Sequence, residues 1–67
     1  MSPKRLSRVL RALREAKGLS QVALAEKAKV ERTYLVKLES GDKTNPSLDV
    51  LKRLARALGV PVTELLE

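Results

Sequence analysis

The chain has 67 residues, enough for one small domain, and residues 1–67 are read as a single unit. It contains no Cys and no His, which excludes disulfide staples, an ordinary zinc finger, a thiol nucleophile, an imidazole base and a Ser-His-Asp triad. The net charge of +6 points to a polyanionic partner, nucleic acid first and an anionic membrane surface second, and neither an enzyme, a cofactor, a metal nor a small-molecule ligand is expected.

Leu6, Val9, Leu10 and Leu13 recur at i, i+3, i+4 and i+7, and Arg5, Arg8 and Arg11 lie off that stripe. With Ser2-Pro3 as a start and Gly18 as a stop, this predicts a first helix over 3–17. Ser20 is the next N-cap, and Leu24, Ala25 and Ala28 give a second helix over 20–28 its inner face. Leu35 and Leu38 define a third helix over 31–40 that ends at Gly41. Gly41-Asp42-Lys43-Thr44-Asn45-Pro46 is a loop by composition. Ser47 then caps a fourth helix over 47–58, with Leu48, Leu51, Leu54, Ala55 and Leu58 expected inward, Asp49 in its first turn and Gly59 at its end. A short fifth helix fits 61–66. No segment alternates with period two, so the chain is expected to be all-α, five helices without a sheet. No apolar run approaches the roughly 18 residues of a membrane span and no signal-peptide core is present, so a soluble, cytoplasmic protein is expected, with no membrane partner.

Two short helices joined by about three residues, the second carrying varied polar side chains, form the sequence pattern of a helix-turn-helix. Between Gln21 and Ser40, small Ala25 allows close approach, and Leu24, Val30, Leu35 and Leu38 fill the space between the two helices. Any compact helical hairpin needs such residues, so the pattern alone leaves DNA binding and simple packing about equally open. Over about residues 6–67, the segments LRALREAKGLSQVALAEKA, VERTYLVKLESG and NPSLDVLKRLARALGV occur in the order and spacing of the Cro/C1-type (XRE-like) helix-turn-helix family, which the chain resembles. The family includes lambdoid phage repressors and restriction-modification controller proteins. The resemblance implies a compact five-helix, lambda-repressor-like domain that binds double-stranded DNA as a homodimer on a two-fold-related operator.

With Leu35 and Leu38 inward, a rotation of 100° per residue turns Thr33, Val36 and Lys37 outward, with Arg32 and Tyr34 at the edges of that face. Such a face would lie in the major groove. Arg32 is the leading base reader, because its fork matches guanine O6 and N7; the bland alternative is a solvated side chain. Lys37 fits guanine or phosphate, Thr33 donates or accepts, and Val36 is either an ordinary exposed apolar residue or a contact for a thymine methyl.

Further roles follow from the resemblance. Gln21 matches the glutamine that binds phosphate and buttresses the recognition helix. Ser20 is a cap first and a phosphate ligand second. Lys43, Thr44 and Asn45 match a loop that grips the DNA backbone, a plain turn being the alternative, and Tyr34 joins the phosphate candidates. Arg14 and Glu39 match a partly buried ion pair, and Arg14 also interrupts an apolar neighbourhood that calls for a partner. Two departures stand out. Lys29 occupies a turn position where glycine is frequent, at about 1–2 kcal/mol if its backbone is left-handed. Glu31 replaces the usual Ser or Thr at the start of the third helix, and either accepts from cytosine N4 or, by repelling phosphate, selects against binding.

Residues 1–17 carry +5 of the charge, residues 18–41 +1 and residues 42–67 zero. The surplus on Lys4, Arg5, Arg8 and Arg11 is read as a solvated helix face, with flanking DNA backbone as the other account. Val60, Val62, Leu65 and Leu66 are dimer-contact candidates, being apolar where little chain is left to cover them, although core packing claims some of them. The leading reading is a sequence-specific transcriptional regulator, a repressor or autoregulator. A protein-interaction or antitoxin-like module is the runner-up, and a membrane-surface peptide is disfavoured by the absence of Trp and Phe.

Overall fold

The computed structural model describes residues 3–43 and 45–66, with side chains from Arg5 onward. Among the described residues there are five helices: α1 (Pro3–Ala16), α2 (Gln21–Ala28), α3 (Arg32–Ser40), α4 (Leu48–Leu58) and α5 (Thr63–Leu66). Two start on serine caps. The Ser20 Oγ accepts from the Ala23 N–H at 3.0 Å and the Ser47 Oγ from the Val50 N–H at 3.1 Å, so each cap residue sits just outside its helix. Helix α5 begins later than the 61–66 expected. Glu64 donates its backbone N–H to the Pro61 carbonyl and Leu65 to that of Val62, tight three-residue closures that make Pro61-Val62 a turn leading into the helix.

Three helices close with the same pair of backbone bonds. After α1, α2 and α4, the amides of Leu19, Val30 and Val60 reach back to the carbonyls of Arg14, Ala25 and Ala55 across a left-handed residue. That residue is Gly18 in the first case and Gly59 in the third, but Lys29 in the second.

One core takes residues from every helix: Leu6 and Leu10 from α1, Leu24, Ala25 and Ala28 from α2, Leu35 and Leu38 from α3, Leu51, Leu54, Ala55, Ala57 and Leu58 from α4, and Leu65 from α5. Helix α1 packs on α3 and α5, and α4 packs on α2 and α5. Two expectations are corrected. Leu48, expected inward, is 53% exposed: it shares the face of Leu51 and Ala55 but is the first residue of α4, at the open end of that stripe. Leu65, expected as a dimer contact, is 0% exposed, because α5 folds back onto α1 and α4 and makes this side chain part of the core. Among the described residues no helix is long and apolar enough to cross a membrane.

Candidate nucleic-acid interface

The α2-turn-α3 unit is set by the turn Lys29-Val30-Glu31. Lys29 sits at φ 59°, ψ 44°, and its carbonyl accepts from Arg53 Nη1 at 3.2 Å, so α4 holds the turn from outside. The other arm of Arg53 pairs with Asp49 one turn earlier, at 3.1 Å. Glu31 is the residue before α3, extended at φ −66°, ψ 138°, and its carboxylate makes no capping bond. The carboxylate is therefore not consumed by the helix end it precedes.

From this start α3 presents Arg32, Thr33 and Lys37 as exposed side chains, while Val36 and Tyr34 are half-buried. The Tyr34 ring packs against the core and carries Lys43 Nζ at 5.1 Å from its centroid, a cation–π contact that draws the α3–α4 loop onto α3. The loop is closed further by the Lys43 amide, which donates to the Lys37 carbonyl at 3.0 Å. A groove of about 430 Å³ beside α3 brings together Glu31, Thr33, Tyr34, Lys37 and Lys43 from the residues singled out in sequence. It adds Lys29 and Arg53, so four cations and one carboxylate share its lining. Arg32 and Val36, together with Ser20, Gln21 and the exposed Asn45, lie outside it. Thr44 lies outside the described residues.

Behind α3 is a polar buttress. The Glu39 side chain is 0% exposed and Arg14 grips it with both arms, Nε to Oε2 at 2.7 Å and Nη2 to Oε1 at 3.0 Å. Gln21 Nε2 donates to the same Oε1 at 3.2 Å, and Arg11 Nε stands 3.8 Å away. The remaining arm of Arg14, Nη1, donates to the Leu19 carbonyl at 2.7 Å. One buried carboxylate thus ties α1, the α1–α2 loop and the first residue of α2 to the last turn of α3. The hydrogen bond to Glu39 pushes the Arg14 guanidinium above its ordinary value against the opposing effect of burial, so the pair stays ionised on the arginine side. Gln21 keeps its oxygen and its second amide hydrogen for another partner, at a helix N-terminus whose first two amides have no acceptor within the helix. Ser20 has its Oγ engaged as acceptor by the cap, with its own O–H still available.

At the other end of the molecule, Val60 and Val62 are half-buried against the core and Leu66 is 37% exposed. Arg53 is the participant that sequence reasoning missed. Its signal was the Asp49/Arg53 spacing of four on α4, which reads as a local helix pair and says nothing of the turn it reaches.

All-helical packing with an α2-turn-α3 unit, a buried buttress and an exposed outer face on the second helix defines a helix-turn-helix domain. The family model described as helix-turn-helix matches residues 10–65, and the chain belongs to that family. The immunity repressor protein of Bacillus phage phi105 is 45% identical over 56 residues, 84% of this chain and 38% of that protein. The HTH-type transcriptional regulator SlrR of Bacillus subtilis is 40% identical over 62 residues, 92% of this chain and 41% of that protein. This chain therefore spans about two-fifths of the length of these curated relatives. Among solved structures, the restriction-modification controller protein C.AhdI from Aeromonas hydrophila superposes with a TM-score of 0.89 at 40% identity, covering 94% of each chain. SinR, a master regulator for biofilm formation solved in complex with DNA, superposes at 0.90 with 37% identity over 92% of this chain and 98% of that one.

Proposed function

We propose that this chain is a sequence-specific DNA-binding domain of a transcriptional regulator, a repressor or autoregulator working in the cytoplasm as a homodimer on a two-fold-related operator. The observation that carries the reading is the outer face of α3. Its polar side chains are exposed beside a groove lined by four cations, and the helix behind them is fixed by a buried carboxylate that engages two other elements. Rigid support is what base reading needs, because a loosely held helix would not hold donors in register with base edges. A repressor among the relatives and a DNA-bound structure among the neighbours support the same reading.

In this reading α3 enters the major groove. Arg32 takes guanine O6 and N7, Thr33, Val36 and Lys37 face the next bases, and Glu31 accepts from cytosine N4. Backbone contacts come from Ser20 and Gln21 on one side, and from Tyr34, Lys43, Thr44 and Asn45 on the other. A second copy sits about 34 Å along the duplex, one helical turn away. Leu66, with the partly covered Val60 and Val62, is the apolar surface left for the dimer contact. The test is selection of bound duplexes from a random pool, followed by affinity across a salt series. The expected result is an enriched inverted repeat whose binding falls steeply with salt as counterions are released. Binding without any enriched motif overturns the reading in favour of an interaction module.

A further inference from the structure

A second groove, of about 460 Å³, runs between the end of α2 and the outer face of α4. Its walls are Lys27, Lys29, Arg53 and Arg56, and its floor is Ala28 and Ala57, both buried. No carboxylate lines it. Arg53 shares its charge with Asp49, but Lys27, Lys29 and Arg56 form no ion pair among the described residues. Crowding four cations around a shallow trough is unfavourable for the free protein, since like charges this close repel and gain nothing from the alanine floor. The arrangement becomes favourable when an anion lies in the trough.

The occupant follows from shape and continuity. Two alanines offer no pocket for the aromatic or aliphatic anchor on which a protein partner depends, whereas a phosphate backbone needs only charge along its path. Lys29 and Arg53 also line the groove beside α3. The two grooves therefore form one positive strip, from Lys37 and Lys43 past Lys29 and Arg53 to Lys27 and Arg56. We propose that the outer half of this strip is a second DNA-backbone site, which carries the duplex flanking the half-site read by α3. This rests on the DNA-binding reading above. The described part of the domain is 24 Å in its longest extent, about seven base pairs of duplex at roughly 3.4 Å each, so the strip can follow the duplex for only a few base pairs past the bases under α3.

The test compares two duplexes carrying the same selected operator, one ending at the half-sites and one extended by about ten base pairs of arbitrary sequence at each end. The proteins are the unmodified chain, Lys27→Gln/Arg56→Gln, and Arg8→Glu, which removes the same two units of charge from the outer face of α1. Lys27, Arg56 and Arg8 are exposed, so each variant is expected to fold, which circular dichroism checks. The unmodified chain should bind the extended duplex more tightly, with a salt slope steeper by about one to two. Each such contact corresponds to about a 3–4-fold change in affinity between 50 and 200 mM salt. Lys27→Gln/Arg56→Gln should lose this increment and keep both its affinity for the short duplex and its base preference, while Arg8→Glu should retain the increment. An unmodified chain that reads the short duplex but gains nothing from the extension overturns the outer site alone, as does an increment that survives in Lys27→Gln/Arg56→Gln or disappears in Arg8→Glu. A chain that binds neither duplex overturns the DNA-binding reading and this site with it.

Discussion

Lys29→Gly should stabilise the domain, and the size of the effect follows from one backbone angle. At φ 59° the Cβ of Lys29 crowds its own carbonyl, a cost of about 1–2 kcal/mol relative to glycine. Glycine also frees the unfolded chain, which returns about 0.4–1 kcal/mol of that gain. The contacts at the turn survive the change because they are made by main-chain atoms of residue 29 and its neighbours: Lys29 N–H to the Glu26 carbonyl at 3.2 Å, Val30 N–H to the Ala25 carbonyl at 3.0 Å, and Arg53 to the Lys29 carbonyl at 3.2 Å. The net gain is about 0.5–1 kcal/mol, a rise in Tm of about 2–8 °C for a domain of this size. Thermal and urea unfolding followed by circular dichroism measure it. Lys29→Ala is the essential comparison, since it removes the same charge from the cationic strip but keeps the Cβ. No gain from glycine, or an equal gain from alanine, refutes the backbone explanation; the latter would assign the effect to relief of charge repulsion.

Breaking the buttress from one side should be costly. Arg14→Met leaves the Glu39 carboxylate buried with Gln21 and the distant Arg11 as its partners, and chemical denaturation should show a loss of about 3–5 kcal/mol, most of it recovered in Arg14→Met/Glu39→Leu. The pH response has a definite sign: a raised arginine value gives a stabilisation that is complete below the unfolded-state value and lost only as pH climbs through the folded one. The Arg14 contribution to unfolding free energy should thus stay level from neutral into mildly alkaline solution, and a decline there contradicts the assignment. At the α5 end, Leu66→Glu should convert the proposed homodimer to monomers in sedimentation equilibrium while lowering monomer stability by about 1–2 kcal/mol, because the side chain is 37% exposed and gives up the burial of the rest.

What the sequence made legible was local. Serine caps, left-handed closures and leucine stripes act within a turn or two, so Ser20, Ser47, Gly59 and the stripe from Leu51 to Leu58 could be placed from neighbouring residues alone. That Arg14 needs a partner was legible from the leucines beside it, whereas its match to Glu39 came from the family resemblance. The rest depends on elements distant in the chain. Leu65 looked uncovered until α5 folded back, and Leu48 continued a periodic pattern past the point where anything packs against it. The cation–π contact between Tyr34 and Lys43 joins the first turn of α3 to the loop beyond its far end, with no spacing rule to announce it. The cationic strip was hidden for the same reason. Charge counted along the chain concentrates on α1, yet the groove walls join a neutral C-terminal third to two lysines near the end of α2.

Base reading by α3 is the central claim, and the most direct measurement is the affinity of Arg32→Ala and Lys43→Ala for the selected operator and all its single-base variants. Arg32→Ala should erase preference at one base pair in each half-site, about 1–3 kcal/mol there and little elsewhere, while Lys43→Ala should weaken every sequence alike and lower the salt slope by about one. If Arg32→Ala weakens all operators by one common factor and leaves the order of preference unchanged, Arg32 reads no base, and the account of how this domain recognises DNA is contradicted.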